Sequence, residues 1–358
     1  MSETEKPPSS ISTPTSPSTA WTEIVEADEQ VLFEEFAQAV AARQREDAQQ
    51  SGGPVRRGFH AKLHAGMAAE FQVLPDLPSY ARFGVFRDPL VLPALVRFSN
   101  GEPIVNRDTK GEPRGIAIKL IGVPGPKLLA GEENAVTQDF LATSHSLTSI
   151  VRNARQFIAF IRASRPKYRL LFALPRDVGV SESLRIIKGY YQNVLSSKVR
   201  SMATEEYSST APIKCGPYAV KFIVRAAEGT GTATSRPLTK NFLRDELVER
   251  LRKKDLIFDF LLQFFVDDAR TPIEDTSIPW RTDVAPLVKV AQLRVLRCDL
   301  DDPKSGATSK AVDQLSFSPW HTTEEHRPLG SIMRARRTAY RVSSALRGKS
   351  PEPPGLPL

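Results

Sequence analysis

Apolar and polar residues follow two different periods along the chain. Between residues 21 and 50 the apolar positions recur at helical spacing, among many Glu, Gln and Ala residues. The Ser-Gly-Gly-Pro sequence at 51–54 would end that helix. From residue 55 to residue 121, short apolar segments are separated by turns rich in Pro, Gly, Asn and Asp, which is typical of strands. The pattern predicts an N-terminal amphipathic helix followed by several strands.

The same criteria predict a mixture of strands and helices over the whole chain. Strands are predicted at residues 70–74, 95–99, 114–121, 139–143, 218–224, 256–266 and 292–298. Helices are predicted at residues 150–163, 182–195, 241–253 and 330–346. Because runs of strands are separated by runs of helices, the order favours an α+β fold over a regular βαβ alternation. Antiparallel strands of this kind could close into a barrel, which removes exposed edges.

The two ends differ in composition from the rest. Residues 1–20 are rich in Ser, Thr and Pro with almost no large apolar side chains, so we expect them to be disordered. The predicted organisation is this disordered tail, an N-terminal helix at 21–53, one main domain at 54–348 and a Pro-rich tail at 349–358 that frays.

The overall composition narrows the class of protein. A hydrophobic fraction of 41% and a charged fraction of 25% are those of a soluble globular protein. We see no signal peptide and no apolar run of about 18 residues, so neither secretion nor a membrane span is expected. Cys215 and Cys298 are too few for a disulfide framework and too isolated for a zinc or iron–sulfur site. This cysteine usage fits a reducing interior, and we expect a cytoplasmic protein.

The formal net charge of +8 leaves three interpretations open. The first is an ordinary basic enzyme. The second is a nucleic-acid-binding protein, although no finger spacing, basic heptad or aromatic RNA-binding motif accompanies the charge. The third is that some arginines serve a buried anionic ligand, and the motifs below favour this one.

The last predicted helix places one tyrosine between two arginines. At 100° per residue, Tyr340 and Arg347 lie about 40° and about 20° from Arg336 around the helix axis. A solvated basic face is one interpretation, because further arginines surround these three. The other is chemical: a guanidinium beside a phenol favours the phenolate, which is a hard iron ligand, and a second guanidinium suits a carboxylate of the same ligand.

These residues resemble the proximal haem site of haem catalases, in which tyrosinate is the axial ligand. The stretch from His326 to Tyr340, HRPLGSIMRARRTAY, resembles the shorter catalase-related haem proteins in particular. The resemblance implies an antiparallel β-barrel core with surrounding helices. It also implies haem b buried between the barrel and the C-terminal helix. Tyr340 would be the iron ligand, Arg336 would keep its phenolate ionised, and Arg347 would face a haem carboxylate.

Two earlier motifs extend the resemblance to the distal side of the haem. Arg-Gly-Phe-His-Ala-Lys, which begins at Arg57, resembles the catalase distal signature, and Arg-Phe-Ser, which begins at Arg97, resembles a catalase strand. The resemblance implies that His60 is the acid–base group and that Arg57 and Arg97 meet the haem propionates. Ser99 would hydrogen-bond the His60 imidazole and fix its tautomer.

One family feature is replaced in this chain. Catalases place an asparagine beside the distal histidine, whereas the matching stretch at 141–146 reads Leu-Ala-Thr-Ser-His-Ser. Ser144 is the nearest candidate for that position, with an alignment shifted by one residue also compatible, and a hydroxyl can still donate a hydrogen bond. The exchange weakens the expectation of fast hydrogen peroxide disproportionation.

The sequence therefore predicts a haem-dependent oxidoreductase of the catalase or peroxidase type that responds to oxidative stress. Its substrate would be hydrogen peroxide or an organic or lipid hydroperoxide. A catalase-related fatty-acid hydroperoxide isomerase or lyase is an alternative. So is a haem-binding protein without turnover, because the distal pocket is altered. No nucleic-acid partner is expected, and a homodimer is left open.

Overall fold

The computed structural model describes residues 16–144, 147–165, 167–233, 239–349 and 352. Most of the predicted disordered tail at 1–20, and most of the tail at 349–358, lie outside these residues. Residues 16–20 are described, and there Ser18 N–H donates to the carbonyl of Phe265 (2.9 Å), which attaches this segment to the main domain.

Strands and helices alternate in blocks along the described chain. The strands are β1 Leu63–Val73, β2 Val91–Asn100, β3 Arg114–Ile121, β4 Thr137–Thr143, β5 Glu206–Ser208, β6 Ile213–Cys215, β7 Tyr218–Ala226, β8 Leu256–Phe264 and β9 Leu287–Val295. The helices are α1 Glu29–Ser51, α2 Ala154–Ala163, α3 Ala173–Val178, α4 Val180–Gly189, α5 Phe242–Lys253, α6 Pro303–Gln314 and α7 Ser331–Leu346. A π-helical segment, Tyr190–Leu195, continues α4.

The strands close into an antiparallel barrel, as the α+β prediction expected. Strands pair in the order β5-β4-β3-β2-β1-β9-β8-β7, and β5 also pairs with β7, which completes an eight-stranded ring. The short strand β6 pairs with β7 beside β5. Closure leaves the ring without an unpaired edge.

Alternation of side chains along each strand separates the barrel interior from its outer face. The interior is filled by phenylalanines, among which Phe71 and Phe260 meet edge to face (5.3 Å between ring centroids). In β2, Val96 and Phe98 belong to this core. Because successive side chains point to opposite faces, Arg97 and Ser99 lie on the outer face. A packed interior therefore leaves a ligand site only outside the barrel.

Helices cover the outer face in two places. Residues of α1, α2, α3, α4 and α7 share a second apolar cluster. On another side, α6 packs on β1 and β2, and a Cβ at Gly66 would lie 2.6 Å from Val312. In the described part of the chain, no helix has the length and apolar character needed to cross a membrane.

The sequence patterns did not predict α6. Val312 is its one buried side chain, so the helix has almost no apolar periodicity. Its start is nevertheless marked, because the Asp302 carboxylate accepts hydrogen bonds from Lys304 N (3.0 Å) and Ser305 N (3.2 Å) and Pro303 occupies the first turn.

Candidate haem site

A cleft lies between the outer face of β2, β3 and β4 and the helices α1, α2 and α7. Its empty volume is about 1300 Å³ including the open mouth. Much of its wall is apolar, with Phe36, Val40, Phe59, Phe157 and Ile332 among the lining residues. Seven of the residues singled out from the sequence line this cleft, namely Arg57, His60, Arg97, Ser99, Arg336, Tyr340 and Arg347.

On the α7 side of the cleft, Arg336 and Tyr340 form a bonded pair. Arg336 Nη2 donates a hydrogen bond to the Tyr340 hydroxyl (2.9 Å), and the guanidinium carbon lies 5.1 Å from the phenol ring centroid. The four-residue spacing places both side chains on one helix face. The pair therefore places a hydrogen-bond donor and a positive charge at the phenol oxygen.

His60 enters the cleft from an unusual backbone conformation. Its φ of 58° lies in the left-handed region, where a non-glycine residue is uncommon, and its N–H donates to the Gly101 carbonyl (3.2 Å). Nδ1 lies 2.6 Å from the Asn100 carbonyl and 3.2 Å from Ser99 Oγ. Since a carbonyl oxygen only accepts, Nδ1 carries the proton and Nε2 keeps its lone pair.

The acceptor that orients His60 is itself held rigidly. The Asn100 side chain is fully buried, accepts from Lys62 N (2.8 Å), and donates to the Ile104 carbonyl (2.9 Å) and to Glu112 Oε2 (3.0 Å). The sequence interpretation gave tautomer control to Ser99 alone and missed Asn100, because a backbone carbonyl leaves no signal in a motif.

The charge state of His60 follows from its surroundings. Burial, together with the nearby guanidiniums of Arg97, Arg336 and Arg57, lowers the pKa of His60 to about 3, against the raising effect of the Asn100 carbonyl. The imidazole is therefore neutral at neutral pH, as a proton acceptor must be.

Strand register places hydroxyl groups on either side of Gly115, which lies against His60. Ser99 of β2 pairs with Gly115 of β3, Gly115 pairs with Thr143 of β4, and Thr143 pairs with Ser208 of β5. All four residues line the cleft, so they form one row across its barrel wall.

The structure places Ser144 outside the lining of the cleft. Ser144 is buried, is not among the residues that line the cleft, and its Oγ accepts a hydrogen bond from Arg114 N (3.2 Å). Thr143 lines the cleft instead. Neighbouring residues of an extended chain point to opposite faces, so Thr143 and Ser144 cannot both face the cleft.

A carboxylate that the sequence analysis did not find holds two of the arginines. Asp313, at the end of α6, accepts from Arg57 Nη1 (2.9 Å) and from Arg97 Nη2 (3.0 Å). Arg97 Nη2 also donates to the His60 carbonyl (3.0 Å). Burial, followed by the charge of Arg57, lowers the pKa of Arg97 to about 9.

The third arginine is poorly satisfied. Arg347 Nη2 reaches only Ser344 Oγ (3.4 Å), and its buried Nε has no hydrogen-bond partner among the described residues. Burial and the charge of Arg57 lower the pKa of Arg347 to about 10. A buried, under-bonded guanidinium beside two others is costly unless an anion joins it.

These features fit haem. Three guanidiniums face one carboxylate, Asp313, so this end of the cleft carries an excess of positive charge that the two propionates of haem would offset. The apolar walls suit a porphyrin, and the Tyr340 oxygen beside Arg336 is a hard donor of the kind that ferric iron accepts.

The fold is that of solved catalases. Catalase A from Saccharomyces cerevisiae matches with a TM-score of 0.63 at 15% identity, over 94% of this chain and 68% of that protein. A fungal catalase matches with a TM-score of 0.61 at 16% identity, over 95% and 68% of the two chains. A bacterial catalase matches with a TM-score of 0.58 at 15% identity, over 96% and 66%. At this identity the similarity establishes a catalase-like fold. No protein-family profile and no curated protein sequence matches the chain.

Proposed function

We propose that this protein is a haem-dependent oxidoreductase that processes hydroperoxides, of the catalase or peroxidase type. The observation that carries the proposal is that one cleft is lined by the Arg336–Tyr340 pair and by a His60 imidazole whose proton is fixed on Nδ1.

In this proposal haem b occupies the cleft. Tyr340 ligates the iron, Arg336 stabilises its phenolate, and Arg57, Arg97 and Arg347 face the two propionates. When bound, the haem supplies the redox chemistry, while the protein supplies the ligand, the acid–base group and the field.

The role of His60 is to move one proton. Nε2 accepts the proton from the oxygen of the hydroperoxide that bears it and returns it to the other oxygen, which leaves as water or as an alcohol. The low pKa of His60, about 3, has two consequences for this step. It keeps the imidazole neutral before the transfer, and it makes the imidazolium a strong acid toward the departing oxygen.

The proposal is tested by adding haemin to the purified protein and recording its absorption spectrum. A high-spin ferric tyrosinate spectrum is expected, and Tyr340→Phe should lose it, whereas Tyr191→Phe, an exposed tyrosine outside the cleft, should keep it. His60→Ala should retain haem and lose most peroxide turnover. An unchanged iron spectrum in Tyr340→Phe would refute the ligand assignment.

A second candidate is a fatty-acid hydroperoxide isomerase or lyase of the catalase-related kind. The apolar walls of the open cleft favour it, because they can accept an acyl chain. So does Thr143, which offers the cleft a hydroxyl, because the stretch 141–146 lacks the asparagine of catalases. Product analysis separates the candidates, since isomerisation yields an epoxide without consuming an electron donor. Full haem loading without any turnover would indicate the non-catalytic binder.

The cytoplasmic location remains part of the proposal. Cys215 and Cys298 are both free thiols. Burial raises the pKa of Cys215 to about 12 and also raises the pKa of Cys298. Unreactive, unpaired thiols fit a reducing compartment.

A further inference from the structure

The positive charge of the chain is concentrated in one segment. Residues 151–200 contain eleven Lys and Arg residues and two Asp and Glu residues, which gives this segment a net charge of +9. The whole chain carries +8, so the remaining residues together are close to neutral. This segment comprises α2, α3, α4 and the π-helical continuation of α4.

The same segment exposes large apolar side chains. Phe172 is 74% exposed, and similar fractions are found for its companions, which are Tyr168, Leu171, Val180, Leu184 and Tyr191. All six lie within 24 consecutive residues. A concentration of apolar surface marks a contact with another molecule more often than scattered exposure does. We call these six residues the apolar patch.

On α4 the exposed apolar and basic residues share one face. Val180, Leu184 and Lys188 are exposed and follow each other at four-residue intervals, so they occupy a stripe about 80° wide. Ser183 and Ile186 are buried on the other side. The helix therefore presents an amphipathic outer face as well as a packed inner one.

The apolar patch is not needed for internal packing. The elements that carry it pack on one another, since α3 contacts α2, α4 and the short helix Lys167–Leu171. Their inward side chains, such as Phe160, Leu174 and Ile186, already form a buried cluster with Phe36 of α1. The exposed side chains are left free to meet a partner.

We propose that this helical layer docks on an anionic phospholipid surface. Several arginines of the layer already pair with carboxylates, such as Arg155 with Asp28 and Arg162 with Glu35. The exposed cations Arg169, Arg176 and Lys188 would pair with lipid phosphates, and the apolar patch would enter the boundary between headgroups and acyl chains. A second copy of the chain is disfavoured as the occupant, because the exposed cations Arg169, Arg176 and Lys188 would face their own copies across a symmetric contact. A nucleic acid would use the charge and the aromatic rings, but would leave Leu171, Val180 and Leu184 without a partner.

The docking layer adjoins the candidate haem site. Phe157 of α2 lines the cleft, together with Phe36 and Val40 of α1, and all three belong to the cluster beneath the patch. If the proposed function holds, docking would bring the cleft to a source of acyl hydroperoxides, and membrane-derived lipid hydroperoxides become the substrate class.

The experiment is flotation of the haem-loaded full chain with vesicles, without any peroxide, so that its result does not depend on turnover. Vesicles of phosphatidylcholine mixed with phosphatidylglycerol should bind the protein, and binding should weaken with added salt. Vesicles of phosphatidylcholine alone should bind it at least about tenfold less.

The matched variants are Phe172→Glu/Leu184→Glu and the control Val91→Glu/Val136→Glu, whose valines are exposed elsewhere on the molecule. The first should lower the partition coefficient at least about tenfold and the control should not. Circular dichroism and the Soret band verify that both are folded. In addition, Leu184→Trp should show a blue-shifted emission when vesicles are added.

Three results would overturn the proposal. They are no binding of the parent chain to the mixed vesicles at low salt, equal binding of both double variants, and an unshifted emission of Leu184→Trp on vesicles that carry the protein. Tight binding of RNA without vesicle binding would assign the layer to nucleic acid instead.

Discussion

Gly115 lies against the imidazole of His60. A Cβ added at Gly115 would lie 2.5 Å from His60 Nδ1, 2.7 Å from its Cε1 and 2.8 Å from Ser99 Oγ. The glycine is required here for space, since the row Ser99–Gly115–Thr143 would otherwise fill the position of the ring. The orientation of His60 therefore depends on Gly115 of β3 having no side chain.

Gly115→Ala is expected to displace His60 and to lower peroxide turnover by about 10- to 100-fold, because small misplacements of a proton-transfer group are costly. Haem binding should persist, since Tyr340 lies on α7. Steady-state kinetics of the haem-loaded variant measures the effect. Gly306→Ala is the control, because its Cβ meets nothing within 4 Å, and it should leave turnover unchanged. Parent-like kinetics for Gly115→Ala would disprove the steric argument.

Two substitutions distinguish the role of Thr143 from that of Ser144. Thr143→Val keeps the shape of the side chain but removes a hydroxyl from the row that lies against His60, and we expect turnover to fall roughly tenfold. Ser144→Ala should leave turnover unchanged and cost about 1 kcal/mol of stability, because Arg114 N loses its acceptor. Kinetics and urea unfolding of both variants provide the measurement. The reverse result would restore Ser144 as the group in the cleft.

Arg347→Gln should have opposite effects on the haem-free and haem-loaded protein. Without haem, removing an under-bonded cation should raise the free energy of unfolding by about 1 kcal/mol, a value discounted for solvent screening. Haem affinity should fall at least about tenfold, because a propionate loses its partner. Haemin titration and thermal unfolding measure both effects. Arg341→Gln, an exposed residue of the same helix, is the control. A lower free energy of unfolding of the haem-free variant, together with unchanged haem affinity, would contradict the assignment of Arg347 to a propionate.

The buried histidines should make the haem-free protein sensitive to mild acid. Burial lowers the pKa of His60 to about 3 and of His326 to about 4, and lowers that of His64 well below 6.5. Because the unfolded chain binds these protons near pH 6.5, each histidine contributes stability above that pH, which is lost as the pH falls toward its folded pKa. Between the unfolded and the folded pKa, each histidine lowers the free energy of unfolding by about 1.4 kcal/mol for every pH unit of acidification.

His64→Leu isolates one of these contributions. Neither ring nitrogen of His64 has a hydrogen-bond partner among the described residues, so leucine removes the titration without breaking a bond. Urea unfolding between pH 7 and pH 5 should show a shallower decline for the variant than for the parent. Carboxyls with raised pKa values, such as Glu112, oppose the trend in both proteins, and comparison of the two cancels them. Identical slopes would show that His64 does not titrate as proposed.

Local patterns in the sequence determined much of this protein. The four-residue spacing of Arg336 and Tyr340 requires only that α7 is a helix, and the structure pairs them at 2.9 Å. Likewise, alternation in β2 is sufficient to put Arg97 and Ser99 on one face. Seven strands of the eight-stranded ring were predicted from turns and apolar runs, whereas the short strand β5, which closes the ring between β4 and β7, was not.

Tertiary structure decided the rest. Whether Thr143 or Ser144 faces the cleft depends on the register between β3 and β4, and a shift of one residue reverses the answer. Asp313 lies far along the chain from Arg57 and Arg97, on a helix without apolar periodicity, and the Asn100 carbonyl belongs to the backbone. Pairing register and backbone position depend on contacts between distant segments, and for that reason no local pattern in the sequence contains them.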